Sequence, residues 1–378
     1  MLTTVWADEG AVMHRAKFVL PVLLLVLVGA CTQGVPDRPQ RGESAAAEVP
    51  SEIFGVKVPS GDRQKLDLAE QLRSIDPCGF FDQAKIATYG QISTLGPDMT
   101  ISGCRIGFLQ NDRQQLHSKV VVELEGTPPR SSGTTTKQIA GETVTIDPER
   151  AFDGDCAYQV PLRFPVESVG AQPNSDVVEV PAVAYAFVRT MGFTPVPFGC
   201  QVAEETVANI VIAFREQRIP RRDRPLVAVP LTERSPCELM SHLPPALHVL
   251  KLDAEVTPYE CRFTVNLPEA TGPRAGDLVR VTFAPTGAGA AMTPVAGYRL
   301  DQIAGKPVLT KRETFGLAPV CYAEWPVGPV VDGYRPGTPA TDGAIKSARI
   351  QVMVKVSGNC AVTDSLVPSA IDLFGANR

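Results

Sequence analysis

Four cysteines recur in this chain at a nearly constant spacing, and no other feature constrains its fold as tightly. Cys78, Cys104, Cys156 and Cys200 are followed by Cys237, Cys261, Cys321 and Cys360, at offsets of 159, 157, 165 and 160 residues. Their surroundings recur too. Asp76-Pro77-Cys78 and Cys104-Arg105 return as Ser235-Pro236-Cys237 and Cys261-Arg262. Gln138-Ile139-Ala140-Gly141 returns as Gln302-Ile303-Ala304-Gly305, and Cys156-Ala157-Tyr158-Gln159-Val160-Pro161 as Cys321-Tyr322-Ala323-Glu324-Trp325-Pro326. Self-similarity at one long period marks a repeated unit. The chain therefore reads as a tandem duplication, with copies of roughly 150 residues that are each long enough to bury a core.

The same cysteines bear on the compartment. Eight fall into two sets of four and one, Cys31, is left over. No Cys-x-x-Cys pair occurs, so a zinc site has no ligand spacing to start from, and two disulfides per copy in an oxidising compartment are expected instead. Residues 1–31 read as a targeting segment. Arg15 and Lys17 precede an apolar run from Phe18 to Val28, too short to span a membrane comfortably, and Met13 makes the better start. The run ends in Leu27-Val28-Gly29-Ala30-Cys31, which resembles a bacterial lipobox. Lipidation at Cys31, with palmitate-type diacyl chains, would explain the odd cysteine and anchor the chain stably. An ordinary secretory signal with a chance cysteine is the alternative.

Residues 32–60 are rich in Pro, Gly, Ala, Ser and Glu without periodicity and read as a disordered tether. Residues 61–219 form the expected first domain, 220–230 a basic Pro-containing linker, and 231–378 the second domain. In the first, Asp76 and Pro77 suit a helix start, and Phe81, Ala84 and Thr88 lie at helical spacing. Residues 110–117 read as a turn. Val120, Val122 and Leu124 mark a strand; Cys156, Tyr158, Val160 and Leu162 share one face of another, and Val183, Tyr185 and Phe187 one face of a third. Cys200 opens a helix whose Val207, Ile210, Val211 and Phe214 fall on one stripe, with Glu204 and Glu205 near its positive end. In the second domain, Pro244-Pro245 shortens the first helix, Val279, Val281 and Phe283 mark one strand, and Ile350, Val352, Val354 and Val356 mark the clearest one. The last helix is expected only over residues 369–374, because Pro368 precedes it. Loops are expected at 127–137, 165–176 and 326–343. The fold class is α+β: two tandem repeats, each a mostly antiparallel sheet flanked by an N-terminal and a C-terminal helix.

Taken together, the Asp-Pro-Cys start, the Cys-Arg strand, the Ile-Ala-Gly turn and the Cys-led strand and helix resemble the actinobacterial envelope lipoproteins of the DUF3558 type. The resemblance covers nearly all of the chain after the leader, twice. The layout is also similar to the extracellular sensor domains of some mycobacterial serine/threonine kinases. Most members of the family have one copy, and Ser235 replaces Asp76 in the second. Four cysteines per copy permit three pairings. The resemblance, applied to both copies, implies Cys78–Cys104, Cys156–Cys200, Cys237–Cys261 and Cys321–Cys360. It carries no catalytic motif.

Elementary chemistry points the same way. His242 and His248 are separated by two prolines, which spoils a helical metal pair, and His117 stands alone. There is no nucleophile elbow and no phosphate-cradling glycine loop. Asp153 with Asp155, and Glu204 with Glu205, are neighbours in sequence only. Arg215, Arg218, Arg221, Arg222 and Arg224 suit either an anionic-lipid contact or a solvated linker. A net charge of −5 argues against nucleic acid as a partner. The expectation is a non-enzymatic lipoprotein outside the cytoplasmic membrane, held to its outer face through Cys31. It needs no metal or cofactor and binds an envelope lipid, glycolipid or small molecule at residues the sequence does not identify. An accessory subunit of an envelope protein complex is the alternative, and an unrecognised hydrolase the minor one. An enclosed apolar pocket would favour ligand binding, and a flat exposed apolar patch would favour assembly.

Overall fold

The computed structural model describes residues 51–98, 100–109, 116–126, 133–148, 156–164, 183–192, 198–223, 228–266, 276–288, 291–295, 297–315, 318–331 and 349–375. Cys31, Met13, Asp153, Asp155, Arg224, residues 1–31, the loop at 165–176 and most of the expected tether lie outside them. The chain from Glu48 onward is one compact unit. It is α+β and contains two seven-stranded antiparallel sheets.

The first sheet is built from β3 (Ile92–Pro97), β4 (Gly103–Leu109), β5 (Leu116–Glu125), β6 (Thr135–Ile139), β7 (Glu142–Ile146), β8 (Ala157–Leu162) and β9 (Ala184–Gly192), in the spatial order β3-β4-β5-β9-β8-β7-β6. The second uses β10 (Val249–Asp253), β11 (Glu260–Asn266), β12 (Gly276–Gly287), β13 (Tyr298–Ile303), β14 (Lys306–Phe315), β15 (Ala318–Val331) and β16 (Ile350–Asn359), in the order β10-β11-β12-β16-β15-β14-β13. The two orders are the same connectivity. In each, the third strand of the pattern pairs with the last, and a hairpin forms the far edge. Val120, Val122 and Leu124 are buried on one side of β5, and Ile350, Val352, Val354 and Val356 are buried along β16. In β9, Ala184, Ala186 and Val188 enter the first core, and Tyr185 and Phe187 lie on the opposite face.

Two long helices cover these cores. α3 (Gly199–Arg215) buries Val207, Ile210, Val211 and Phe214 against the first sheet, and α4 (Cys360–Phe374) buries Val362, Leu366, Val367, Ile371 and Phe374 against the second. α4 is far longer than the expected 369–374. Pro368 lies inside it, where a proline removes one backbone donor and leaves the Asp364 carbonyl without its usual partner four residues on. Ala370, Ile371 and Phe374, all buried beyond the proline, carry the helix through. Four disulfides join Cys78–Cys104, Cys156–Cys200, Cys237–Cys261 and Cys321–Cys360.

Several expectations need correction. The helix expected from Asp76 onward is a 3-10 helix, Pro77–Phe80, and then a separate short helix, α2 (Gln83–Ile86). Asp76 and Asp82 each accept a hydrogen bond from a backbone N–H, so the chain is capped twice within seven residues. Ala84 and Thr88 are exposed, and Ile86 is the buried residue. In the second half the corresponding 3-10 helix, Pro236–His242, is the longer one, with a capping box between Ser235 and Glu238. Residues 135–137 of the first expected loop belong to β6, residues 116–117 to β5, and residues 326–331 to β15.

The tether assignment also fails at its end. A hairpin, β1 (Ser51–Ile53) with β2 (Val56–Val58), leads into α1 (Ser60–Arg73), which had no counterpart in the sequence reading. Ile53, Phe54, Val56 and Leu66 pack on the core of the second sheet, and Val58 is buried in it. These apolar residues are too few to set up a period, and their partners lie about two hundred positions further on. Other contacts cross the same way. Val256 joins the first core and Ile101 the second. A side chain at Gly126 would run into Val256, so glycine is required by that approach. Arg73 donates to the Pro258 carbonyl at 3.0 Å. Arg222, buried, donates to the Ile101 carbonyl at 2.7 Å, and its backbone N–H donates to Ser74. Neither a solvated linker nor a lipid contact describes Arg222: it is an internal brace. Arg215 donates to the Ala140 carbonyl, and Arg218 pairs with Glu216.

The contribution of β2 can be measured. Only two tryptophans occur, Trp6, which precedes the described residues, and Trp325, which is 1% exposed in the second core. In the chain from Thr32 onward, Trp325 fluorescence therefore follows the second half alone. Val58→Ala is expected to lower the stability seen by Trp325 by on the order of 2 kcal/mol, although residue 58 precedes the first repeat. An unchanged denaturation midpoint would rule out the docking.

Candidate functional site

In both halves the disulfide that starts the long helix also fixes the strand beneath it. Cys156 immediately precedes β8 and is bonded to Cys200 in the first turn of α3. Cys321 lies near the start of β15 and is bonded to Cys360 at the start of α4. The edge hairpin beyond that strand, β6–β7 or β13–β14, either closes on the helix or stands off it.

In the first half it closes. Lys137 of β6 forms an ion pair with Glu204 of α3 at 2.6 Å, and Tyr158 of β8 donates its phenol to the same Glu204 oxygen at 2.8 Å. The two glutamates were expected to serve the helix dipole. The helix starts at Gly199, so Glu204 and Glu205 lie beyond its first turn and instead bind across to Lys137 and Tyr158, and to Lys85. Burial pushes the Glu204 carboxyl up, but the hydrogen bonds from Lys137 and Tyr158 outweigh it and hold the group below the usual carboxylate range. Burial and then the bond to Glu204 push the Tyr158 phenol well above its ordinary value. What stays open is a smaller cleft of 280 Å³ further along α3, lined by Gly141, Val160, Leu162, Ile210, Phe214 and Arg215.

In the second half the hairpin stands off, and a groove of 620 Å³ opens between β13, β14, β15 and the first turns of α4. Its floor comes from alternate residues that share the helix-facing side: Arg299 and Asp301 of β13, Thr310 and Arg312 of β14, Cys321 and Ala323 of β15. Thr363, Asp364 and Val367 form the helix wall. Asp301 accepts from Thr310 and from Arg299 (2.8 Å), and these bonds, Thr310 first, hold its carboxyl below the ordinary range. Arg312 and Asp364 are exposed and have no partner among the described residues. Thr363 is 2% exposed, and its hydroxyl has no hydrogen-bond partner among the described residues. The groove is thus polar, neither the apolar pocket expected for a lipid chain nor a flat apolar patch.

Residues the sequence reading tested for chemistry do not converge here. His242 and His248 are exposed and distant from the groove in sequence and element. Among the described residues no three His, Cys, Asp or Glu side chains gather to hold a metal ion, and no helix is long and apolar enough to cross a membrane. Leu250 of β10 and Leu278 of β12 are both about half exposed, and Leu250 reaches over β11 to Gly276.

The sequence matches no protein-family model and no curated protein. Among solved structures the chain is similar to a di-domain aromatase/cyclase of steffimycin biosynthesis, at 10% identity over 79% of this chain and 89% of that one. The TM-score of 0.14 is too low for the likeness to carry an argument.

The closed brace makes a titration prediction. Glu204 has a lower value folded than unfolded, so the brace contributes fully above the ordinary glutamate value of about 4.3 and is lost as pH falls through the folded value. Tyr158→Phe removes one of the two donors. The Glu204 carboxyl, followed by side-chain carbonyl NMR, is then expected to titrate at higher pH; an unmoved midpoint would show that the phenol does not support the carboxylate.

Proposed function

We propose that this chain is a cell-envelope lipoprotein of the DUF3558 type and that it works outside the membrane as a non-enzymatic binding module. In this reading each repeat is a sheet with a short helical start and a long terminal helix, and Cys31 carries the lipid. The observation that carries the binding role is the groove over β13–β15, whose volume lies in the range of small-molecule sites (roughly 300–1,000 Å³). Its lining offers donors and acceptors but no nucleophile activated by a base. Four disulfides in a chain of this size support an oxidising compartment, and hence export.

The second reading, an accessory subunit of an envelope complex, draws on Leu250 and Leu278. Leu250 exposes apolar surface on β10, the edge strand of the second sheet, and Leu278 exposes more on β12; an edge strand can pair with another chain. Two leucines make a small patch, so binding in the groove takes precedence.

Two measurements test the proposal. Cys31→Ser is expected to abolish incorporation of labelled palmitate and to move the protein from the detergent phase to the aqueous phase; retention of the label would remove Cys31 as the anchor. Native mass spectrometry of the lipid-free chain from Thr32, after incubation with an envelope extract, is expected to show a discrete added mass. A clean apo mass, with a stoichiometric co-purifying protein, would transfer the role to assembly.

A further inference from the structure

The two copies differ most where the second one opens its groove. Matching Gln138 to Gln302, Cys156 to Cys321 and Cys200 to Cys360 places Lys137 opposite Asp301, Tyr158 opposite Ala323 and Glu204 opposite Asp364. The three residues that close the first half are thus each replaced: a cation by an anion, a ring by a methyl group, and a glutamate by the shorter aspartate. The flanking positions change in the same sense. Ile146, which packs on the first core, corresponds to Thr310, and Ala203 to Thr363, whose buried hydroxyl has no partner among the described residues. Val207, by contrast, corresponds to Val367, and both are buried. The framework is kept while the rim and floor turn small and polar.

We infer that the groove of the second half is a saccharide-binding site and that the first half, closed by Lys137, Tyr158 and Glu204, is its scaffold. The inference rests on the binding role proposed above and adds both the site and the ligand class. Three cations, Arg299, Lys311 and Arg312, and two carboxylates, Asp301 and Asp364, line it; Arg299 pairs with Asp301 and Lys311 with Glu313, which leaves one cation and one anion, Arg312 and Asp364, for a ligand. One charge of each sign selects neither an anion nor a cation. Planar donors beside planar acceptors suit a ligand whose groups both donate and accept, and vicinal hydroxyls do so. The lining is mostly polar or charged, with Ile303, Cys321, Tyr322, Ala323 and Val367 its apolar part, which disfavours an acyl chain. The sugar could be free or the headgroup of a glycolipid; the chemistry recognised is the same.

The test uses the full lipid-anchored chain in two arms: a printed array of glucose, mannose, galactose and arabinose oligosaccharides, and phosphatidylcholine vesicles with or without diglucosyl diacylglycerol. The wild-type chain is expected to retain saccharide in at least one arm. Binding to array sugars identifies a free saccharide, and a gain only on sugar-bearing vesicles identifies a glycolipid headgroup. Ala323→Tyr restores the ring of the first half and is expected to weaken retention by at least about tenfold. Because residue 323 is buried, the double change Arg312→Ser and Asp364→Ser, both exposed, gives a second test that does not depend on repacking, with the same expected loss. Unchanged retention in that double variant would overturn the site. No retention of saccharide by the wild-type chain in either arm would overturn the ligand class, and a bound mass of another kind in the native spectrum would then leave the general binding role standing.

Discussion

A covalent bond between the start of a long helix and the strand beneath it organises each half of this protein. The bonds Cys156–Cys200 and Cys321–Cys360 close loops of 44 and 39 residues, worth about 4 kcal/mol each if the effect is mainly on the unfolded chain. Their larger consequence is geometric. With one end of the helix fixed to the sheet, everything beyond that strand hangs from the strand's far edge. The hairpin there has one degree of choice left: whether it meets the helix. Side chains at a few positions make that choice, and the rest of the fold is indifferent to it.

The two halves settle it oppositely, and the difference is one of side-chain parity. In the first, the strand after the cysteine reads Ala157-Tyr158; in the second it reads Tyr322-Ala323. A strand shows alternate residues to opposite faces, so exchanging two neighbours moves a ring from one side of the sheet to the other. Tyr158 is buried under α3 and bonded to Glu204. In the second sheet residue 323 is a buried methyl group on the helix side, while the outer face carries Tyr298, Glu324 and Lys355 in one bonded set. A duplicated scaffold can in this way keep its framework and change its surface chemistry.

Much of this was legible before any coordinates. The cysteine period gave the two sheets, because a repeated covalent framework tolerates little change of fold, and the alternation of Ile350, Val352, Val354 and Val356 located the central strand. The failures have particular causes. Pro368 was read as a helix stop, yet buried residues on either side outweighed the lost backbone bond. Ile53, Phe54, Val56 and Val58 looked like part of a tether because their partners belong to the other copy. The arginine-rich stretch looked like a solvated linker because composition does not reveal that Arg222 has carbonyl partners inside the fold. The groove was missed although its sign was present: the Ala-Tyr and Tyr-Ala exchange stands in the repeat itself, and only the pairing of faces gives it meaning.

The hairpin β1–β2 rests on the second core through Ile53, Phe54, Val56 and Val58, while the helix that follows turns Leu66 to that core and Leu68 and Leu72 to the first. The polypeptide therefore enters the folded body beside its last-made half. Each core is thus completed by residues that precede both sheets in the chain, so neither half could be cut away without exposing apolar surface in the other.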